Sequence, residues 1–267
     1  MTIVVILLIL ILLYALSVRG RTGHPMLETL RKWHYAHRGL HDHECPENSL
    51  SAFRRALEHG YGVELDVHLM ADGNLAVIHD SSLLRTVGAD VRIEDLRTEE
   101  LPNYPLKGSA ETIPLFRQVL DLFNGKAPII VELKPQGNNI DALTAAACKM
   151  LDTYDGPFCL ESFDPRCILW LKKNRPDLCR GQLSENWFKT KNGLPWILKL
   201  LLTNHVGNFL TKPDFVAYKF VDRQGFGNVL ARKLWGLQGV TWTVRSPEDH
   251  DAALAEGWIS IFENFEA

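Results

Sequence analysis

The chain has 267 residues, of which 29 are lysine or arginine and 32 are aspartate or glutamate, so its formal net charge at pH 7 is -3. This near balance gives no signal for nucleic-acid binding by the chain as a whole. The 5 cysteines are odd in number and include no Cys-x-x-Cys pair, which argues against a disulfide framework or a zinc ribbon. Free thiols are typical of a reducing compartment.

The N-terminus is strongly apolar. Residues 1–18 contain no charged side chain, and this run approaches the minimum length of a membrane-spanning helix, about 17 to 20 residues. Basic residues follow it at Arg19, Arg21, Arg31 and Lys32. Because positive flanks stay on the cytoplasmic side, we predict a transmembrane anchor over 1–18, a basic linker over 19–32, and a protein anchored in the inner or cell membrane with its folded domain in the cytoplasm. A cleaved signal peptide is the alternative, although its usual basic start is missing.

From residue 33 to the end, short apolar runs alternate with helix-like segments, a pattern typical of a parallel sheet with crossover helices. The predicted strands are Trp33–Ala36, Val63–Val67, Ala76–Ile78, Ile129–Leu133, Phe158–Leu160, Arg180–Leu183, Phe215–Ala217, Val240–Val244 and Ile259–Phe262. The third strand pairs with the second through the Asp72-Gly73 turn. The other eight predict an α/β fold, a TIM-type (β/α)8 barrel, and no linker divides the single domain over 33–267.

Two helices have clear ends in the sequence. One begins at Asn48 or Ser49 and ends at Gly60, and the other begins at Ser246-Pro247 and ends at Gly257. Serine before a helix, proline in its first turn and glycine after it are the preferred end residues.

Charged residues interrupt two of the predicted buried strands. Residues two apart on a strand share a face, so Glu64 lies beside Asp66, and Glu132 lies beside Lys134. Buried acids need a metal or a counter-charge, and three carboxylates suit a hard cation such as Mg²⁺ or Ca²⁺. The alternative is that these acids only form ion pairs with Arg38 and Lys134.

Further polar residues follow other predicted strands. In a barrel of this type the active site lies at the C-terminal ends of the strands. His37 and Arg38 follow the first strand, and His79 follows the hairpin strand. Other polar or aromatic side chains at later strand ends are Glu161, Gln182, Lys219, Trp242 and Glu263. Histidines, acids, an arginine and a lysine on one rim predict metal-assisted chemistry on a phosphate ester.

An ordered series of motifs resembles the glycerophosphodiester phosphodiesterase family. The series is His37-Arg38-Gly39, Pro46-Glu47-Asn48-Ser49, Ala52-Phe53, Ala56, Gly60, Glu64-x-Asp66-Val67, Asp72-Gly73, His79-Asp80, Leu83, Glu132-Leu133-Lys134, Ser162-Phe163-Asp164-Pro165, Pro176 and Trp242-Thr243-Val244. The resemblance implies a TIM-type barrel, one divalent cation, and hydrolysis of glycerophosphodiesters to glycerol 3-phosphate and an alcohol.

The resemblance also implies roles for single residues. The catalytic histidines correspond to His37 and His79, and one would act as base and the other as acid through a cyclic phosphate intermediate, in an order that the sequence leaves open. The remaining matched positions are the metal ligands Glu64, Asp66 and Glu132, the phosphate-contacting Arg38 and Lys134, and the substrate-contacting Trp242.

The chain departs from the family pattern at two places on the rim. Glu263-Asn264-Phe265 stands where an aspartate followed shortly by proline is usual, and Arg245 stands where asparagine is common. A positive charge at position 245 can alter which head group fits.

Several alternatives stay open. The enzyme could act on lysophospholipids as a lysophospholipase D, or the barrel could be an inactive membrane-tethered binding module. The apolar and basic segment 187–215 either faces a membrane or packs on the core, and the second is preferred because apolar stripes usually face inward. The cluster at 41–45 is expected to be a polar loop, because consecutive residues cannot easily surround one ion.

Overall fold

Nine strands form one sheet in the computed structural model, which describes residues 2–267. They are β1 Tyr35–His37, β2 Gly62–Leu69, β3 Leu75–Val77, β4 Ile129–Leu133, β5 Phe158–Ser162, β6 Arg180–Ser184, β7 Phe215–Lys219, β8 Gln238–Val244 and β9 Trp258–Phe262. β1 pairs in parallel with both β2 and β9, which closes eight parallel strands into a barrel, while β3 pairs antiparallel with β2. The predicted barrel and its extra hairpin strand are therefore confirmed.

Ten α-helices lie within the described residues. They are α1 Thr2–Ser17, α2 Met26–Leu30, α3 Leu50–Glu58, α4 Phe116–Phe123, α5 Ile140–Leu151, α6 Pro165–Asn174, α7 Trp196–Thr203, α8 Asn208–Thr211, α9 Phe226–Trp235 and α10 Pro247–Ala255. The hydroxyls of Ser49 and Ser246 accept hydrogen bonds from the third residue beyond each, so α3 and α10 begin where the sequence predicts.

The interior of the barrel changes from apolar to acidic along its axis. Its lower part contains a buried cluster that includes Tyr35, Ile130 and Phe215, and the short helix α2 closes this end with Leu27 and Leu30. At the opposite end the inward-facing residues are carboxylates. The apolar part fixes the barrel geometry, and the acidic part carries the candidate site.

The N-terminal helix differs from its prediction. Within residues 2–267 no helix has both the length and the apolar character needed to cross a membrane. α1 contains 16 residues, which at 1.5 Å per residue is about 24 Å, against a hydrocarbon core of about 30 Å. The predicted transmembrane helix over 1–18 is therefore not borne out, and Met1 lies outside the described residues.

The segment after β6 also differs from its preferred prediction. None of the 8 residues of α7 is buried, so this helix does not pack on the core as an ordinary barrel helix does. A cavity of about 240 Å³ separates it from the barrel and is lined by Leu183 of β6, by Leu198 and Leu202 of α7, and by Phe209 of α8. The apolar stripe of α7 thus faces partly a cavity and partly solvent.

Candidate active site

The barrel brings four carboxylates together at the C-terminal ends of adjacent strands. Strand register places Asp66 of β2 beside Glu132 of β4, and Glu132 beside Glu161 of β5. Glu64 lies two residues before Asp66 and is paired with His37 of β1. All four acids are buried, and Glu64, Asp66 and Glu132 each offer an oxygen atom within 4.8 Å of the other two. This cluster contains the three predicted ligands, and Glu161 adds a fourth carboxylate.

The titration of these acids reflects burial and crowding. Burial, followed by the neighbouring carboxylates, raises the pKa of Glu64 and of Glu161 well above the usual value. Burial also raises the pKa of Glu132 to about 7, although Lys134 opposes it. For Asp66, burial is outweighed by Lys134, His79 and Arg38, so its pKa falls well below the usual range. The cluster thus holds more carboxyl groups than its own cations can neutralise.

Two cations lie beside the cluster. Lys134 Nζ is 3.1 Å from Asp66 Oδ1 and 2.8 Å from Glu132 Oε1. Arg38 Nε is 3.5 Å from Asp66 Oδ2, and its Nη1 donates to Glu47 at 2.9 Å. The ion pairs expected under the alternative interpretation are therefore present at Asp66 and Glu132.

Ion pairing does not account for the whole cluster. In residues 2–267, Glu64 has only His37 within ion-pair distance, at 3.8 Å, and the buried Oε2 of Glu161 has no hydrogen-bond partner. An adjoining cavity of about 40 Å³, lined by these two acids and by Glu132, has room for an ion and water. Because an oxygen-only donor set suits Mg²⁺ or Ca²⁺, these residues fit a hard divalent cation.

Both predicted catalytic histidines border the same cavity, and each has a carboxylate on its Nδ1 atom. His37 Nδ1 lies 3.0 Å from Glu263 Oε2, and His79 Nδ1 lies 2.7 Å from Asp80 Oδ1. Donation from Nδ1–H leaves Nε2 of each ring unprotonated when the ring is neutral. Burial lowers the pKa of His37, and it lowers that of His79 to about 4. A lowered pKa favours the neutral ring, which can accept a proton at Nε2, and the carboxylate on each Nδ1 would stabilise a ring that is protonated.

An ion-pair chain holds the loops around the histidines. Arg85 donates to both oxygens of Glu47 at 2.7 Å and to Asp80 at 2.5 Å. Glu47 in turn accepts from Arg38. Arg85 thus links the loop after β1 to the carboxylate that orients His79. Sequence reasoning missed Arg85, because a lone arginine outside every strand carries no positional signal.

Aromatic side chains form the opposite wall. The rings of Trp242 and Phe163 meet edge to face at 5.5 Å, and Lys219 Nζ lies 6.0 Å from the centre of the Trp242 ring. The sequence indicates Phe163 only as a member of the Ser162-Phe163-Asp164-Pro165 motif, which gives its ring no predicted role. These rings line the small cavity at the acids, and Trp242 also lines a larger cavity of about 390 Å³ that includes Arg38, Arg245 and Glu263.

The two departures at the rim contact each other. Arg245 Nη2 lies 3.3 Å from Glu263 Oε2, the oxygen that also accepts from His37. Glu263 is therefore part of the histidine site, and Arg245 is an exposed positive charge at its mouth. His41 Nε2 is 3.9 Å from Glu263 Oε1, so the 41–45 loop touches the site at one residue.

Comparison with known proteins agrees with this geometry. The chain matches the glycerophosphoryl diester phosphodiesterase family over residues 37–265. It is 37% identical over 158 residues to a glycerophosphodiester phosphodiesterase of Caldanaerobacter subterraneus subsp. tengcongensis, covering 55% of this chain and 65% of the relative. It is 34% identical over 118 residues to lysophospholipase D GDPD1 of Rattus norvegicus, covering 39% of this chain and 37% of the relative. Both matches span less than two thirds of the relative.

The fold is also found in a solved structure. A phosphodiesterase of Oleispira antarctica, solved in complex with the product sn-glycerol-3-phosphate, aligns with a TM-score of 0.70 and 23% sequence identity. The alignment covers 88% of this chain and 93% of that one. At this identity the likeness concerns the fold alone.

Proposed function

The chain belongs to the glycerophosphoryl diester phosphodiesterase family, a family of phosphoric diester hydrolases, and on that premise we propose that it hydrolyses glycerophosphodiesters to glycerol 3-phosphate and an alcohol. The observation that carries the proposal is the pair of partly buried histidines, each oriented by its own carboxylate, beside the cluster of Glu64, Asp66 and Glu132. These are an acid, a base and a cation site, which is the set that hydrolysis of a phosphodiester needs.

The three acids Glu64, Asp66 and Glu132 would hold one divalent cation, Mg²⁺ or Ca²⁺. When bound, such an ion neutralises negative charge on the phosphate oxygens as the reaction proceeds. Glu161 lies next to these ligands and is available to a bound water or to the ion. The raised pKa values of Glu64, Glu132 and Glu161 support this assignment, because a cation would favour the charged form of all three carboxyls.

The cationic side chains would bind and orient the phosphate. Arg38 offers a planar fork of donors, and Lys134 offers a compact positive charge held by Asp66 and Glu132. Trp242 and Phe163 would exclude water from the alcohol side of the substrate and pack against it. Each group thus fixes one part of the substrate before any proton moves.

The histidines would move the protons. One neutral ring accepts the proton of the neighbouring glycerol hydroxyl at Nε2, so that this oxygen attacks phosphorus. The other ring, protonated at Nε2, donates to the departing alcohol. A cyclic phosphate results, and its opening by water uses the two rings in reversed roles. The carboxylates of Glu263 and Asp80 stabilise whichever ring is positively charged.

The test is turnover by variants that still fold. His37→Ala and His79→Ala should each lower the release of glycerol 3-phosphate from glycerophosphocholine by roughly 100-fold or more, since general acid-base catalysis contributes about 10²- to 10⁴-fold. Exposed His43, in the 41–45 loop, gives a matched control as His43→Ala. Near-wild-type rates in either active-site variant would contradict the mechanism.

A second candidate is lysophospholipase D activity on the same site. Two observations favour it: a relative carries that name, and a cavity of about 240 Å³ with an almost entirely apolar lining lies between β6 and α7. Leu183 lines both this cavity and the small cavity at the acids. The two candidates are separated by the ratio of the kcat/KM values for lysophosphatidylcholine and glycerophosphocholine, measured with both substrates present. A ratio above one favours the lysophospholipase D. The third candidate, an inactive binding module, is disfavoured because both histidines and all three acids are in place.

Attachment to a membrane, with the catalytic domain in the cytoplasm, is the last part of the proposal. The support is the composition of α1, which has no charged residue and no buried residue, followed by Arg19 and Arg21. Separation of cells into membrane and soluble fractions, with and without a high-salt wash, tests it. Recovery only in the soluble fraction would contradict this location.

A further inference from the structure

We propose that the outward faces of α7, α8 and α9, together with α1, form a docking surface for an anionic phospholipid bilayer. The apolar surface, as defined here, consists of the exposed side chains of Trp196, Ile197, Phe209, Leu210, Phe226 and Leu234 around the base of α1. The inference rests on the membrane attachment proposed above and deepens it by naming the surface and the lipid charge, and lipid binding does not require turnover.

The base of α1 is fixed to all three helices. The ring of Tyr14 stacks on Phe226 of α9 at 5.7 Å, and its hydroxyl donates to the carbonyl of Asn204 after α7 at 3.4 Å. Trp235 Nε1 donates to the carbonyl of Ala15 at 2.6 Å, and Asn208 Nδ2 of α8 donates to the carbonyl of Val18 at 3.3 Å. These contacts hold the base of α1 against α9, the start of α8 and the end of α7, the three helices that carry the apolar surface.

The exposure of this feature is larger than a folded chain in water tolerates. Trp196 and Phe226 are 69% and 67% exposed, and the aliphatic residues from Ile3 to Leu13 are each at least 50% exposed. Contiguous exposed apolar patches mark interaction surfaces. Because α1 is apolar on every side, a groove on another protein would cover only one of its faces, whereas lipid chains surround it.

Chain length and charge point to an anionic bilayer. The roughly 24 Å of α1 would reach through one leaflet, about 15 Å, and into the second, while the aromatic rings of Tyr14 and Trp235 at its base suit the headgroup region. Arg19 lies over the Trp235 ring, Lys191 precedes α7, and Lys199 lies within α7. These cations complement negatively charged headgroups.

The apolar surface borders the mouth of the candidate active site. Val221 lines the cavity of about 390 Å³ that contains His37 and Arg245, and it also lines a neighbouring cavity with Phe226. We expect a lipid-borne phosphodiester to enter the larger cavity from this side, an expectation that rests on the proposed activity.

The test is co-flotation of the purified full chain with vesicles made of equal parts phosphatidylcholine and phosphatidylglycerol, or of phosphatidylcholine alone. Trp196→Asp and Leu234→Asp should each lower the bound fraction at least about tenfold relative to the unaltered chain. Leu254→Asp, at a 40% exposed position of α10 outside the defined apolar surface, is the matched control and should not change it. Unchanged turnover of water-soluble glycerophosphocholine shows that the variants fold.

A charge reversal tests the ionic part. Lys191→Glu with Lys199→Glu should weaken binding to the anionic vesicles by at least about fivefold per lysine, because each change removes a positive charge and adds a negative one, and should leave binding to phosphatidylcholine alone unchanged. Lys126→Glu with Lys149→Glu, exposed elsewhere, is the control pair. His37→Ala should bind vesicles like the unaltered chain, so loss of the proposed activity and loss of docking are distinguishable. Wild-type flotation of Trp196→Asp and Leu234→Asp, or self-association of the chain without flotation, would overturn the proposal.

Discussion

The Nδ1 atom of His37 lies 3.0 Å from Oε2 of Glu263, so that closure of the barrel joins two residues 226 positions apart in one hydrogen bond. The ring donates and the carboxylate accepts, which directs Nε2 toward the acid cluster. Donation from His37 is the main reason that the pKa of Glu263 falls to about 2, so the carboxylate stays charged across the working pH range. Glu263 therefore acts as a positioning residue for His37.

Glu263→Gln should lower kcat/KM by roughly tenfold to 100-fold while leaving the fold intact, because an amide can still accept from Nδ1 but carries no charge to stabilise the protonated ring. Glu263 raises the pKa of His37, so its loss should move the limb of the pH profile that reports His37 to lower pH, whichever role that ring has. The measurement is kcat/KM against pH, with the exposed Glu266→Gln as control. An unshifted profile would show that Glu263 does not act on His37.

Glu161→Gln should change metal-free stability and metal response in opposite directions. Removing a buried carboxyl whose pKa is raised well above normal should raise the Tm of the metal-free protein, by about 3 °C if the gain is near 1 kcal/mol. The same variant should lose part of the thermal stabilisation that Mg²⁺ or Ca²⁺ provides. Differential scanning calorimetry with and without each ion measures both. A fall in metal-free Tm with unchanged metal response would mean that Glu161 is only structural.

Arg245→Ala should alter head-group preference. Arg245 is an exposed positive charge 3.3 Å from Glu263 at the mouth of the larger cavity, where it repels a cationic head group. Its removal should raise kcat/KM for glycerophosphocholine relative to glycerophosphoglycerol by up to about fivefold, the effect of roughly 1 kcal/mol between charges in water. Arg117→Ala, on the outer helix α4, provides the control. An equal change for both substrates would assign no selectivity to Arg245.

His205 should make stability fall in mild acid. Its Nε2 donates to Asn228 Oδ1 at 2.7 Å, while its buried Nδ1 has no partner within residues 2–267, and burial lowers its pKa to about 4. The unfolded chain, with a histidine pKa of about 6.5, takes up this proton first, so stability is full above that pH and declines toward pH 4.

Between pH 7 and pH 5, His205 should lower the free energy of unfolding by about 2 kcal/mol. The loss is about 1.36 kcal/mol for each pH unit below the unfolded-state pKa of about 6.5. Urea unfolding at both pH values measures it. His205→Gln should lose that part of the pH dependence, whereas the exposed His43→Gln should retain it. Equal pH dependence in His205→Gln and the unaltered chain would contradict the assignment.

The strands and the acid cluster were predictable because both depend on local pattern. Alternation along β2 and β4 places Glu64, Asp66 and Glu132 on one face, and parallel strands bring their C-terminal ends together. The carboxylates on the histidines were not predictable in this way. Glu263 reaches His37 only when β9 pairs with β1, and Arg85 reaches Asp80 from an irregular loop.

The positions of the apolar helices were harder to predict, for a different reason. Composition predicts that α1 and α7 contact apolar surroundings, but it does not give the length of a helix or the surface on which it packs. α1 ends at Ser17, and α7 stands away from the barrel across a cavity. The contacts that hold α1 come from Asn204, Asn208 and Trp235, which are distant from α1 in sequence.

The most direct test of the central claim is release of glycerol 3-phosphate from glycerophosphocholine by the purified full chain with Mg²⁺, with Ca²⁺ and with a chelator. Glycerophosphoethanolamine, glycerophosphoglycerol and lysophosphatidylcholine serve as parallel substrates. The account predicts turnover of the water-soluble esters with at least one ion, abolished by chelator and by Glu64→Gln. Metal-independent turnover, or no turnover of any of the four esters with either ion, would contradict it.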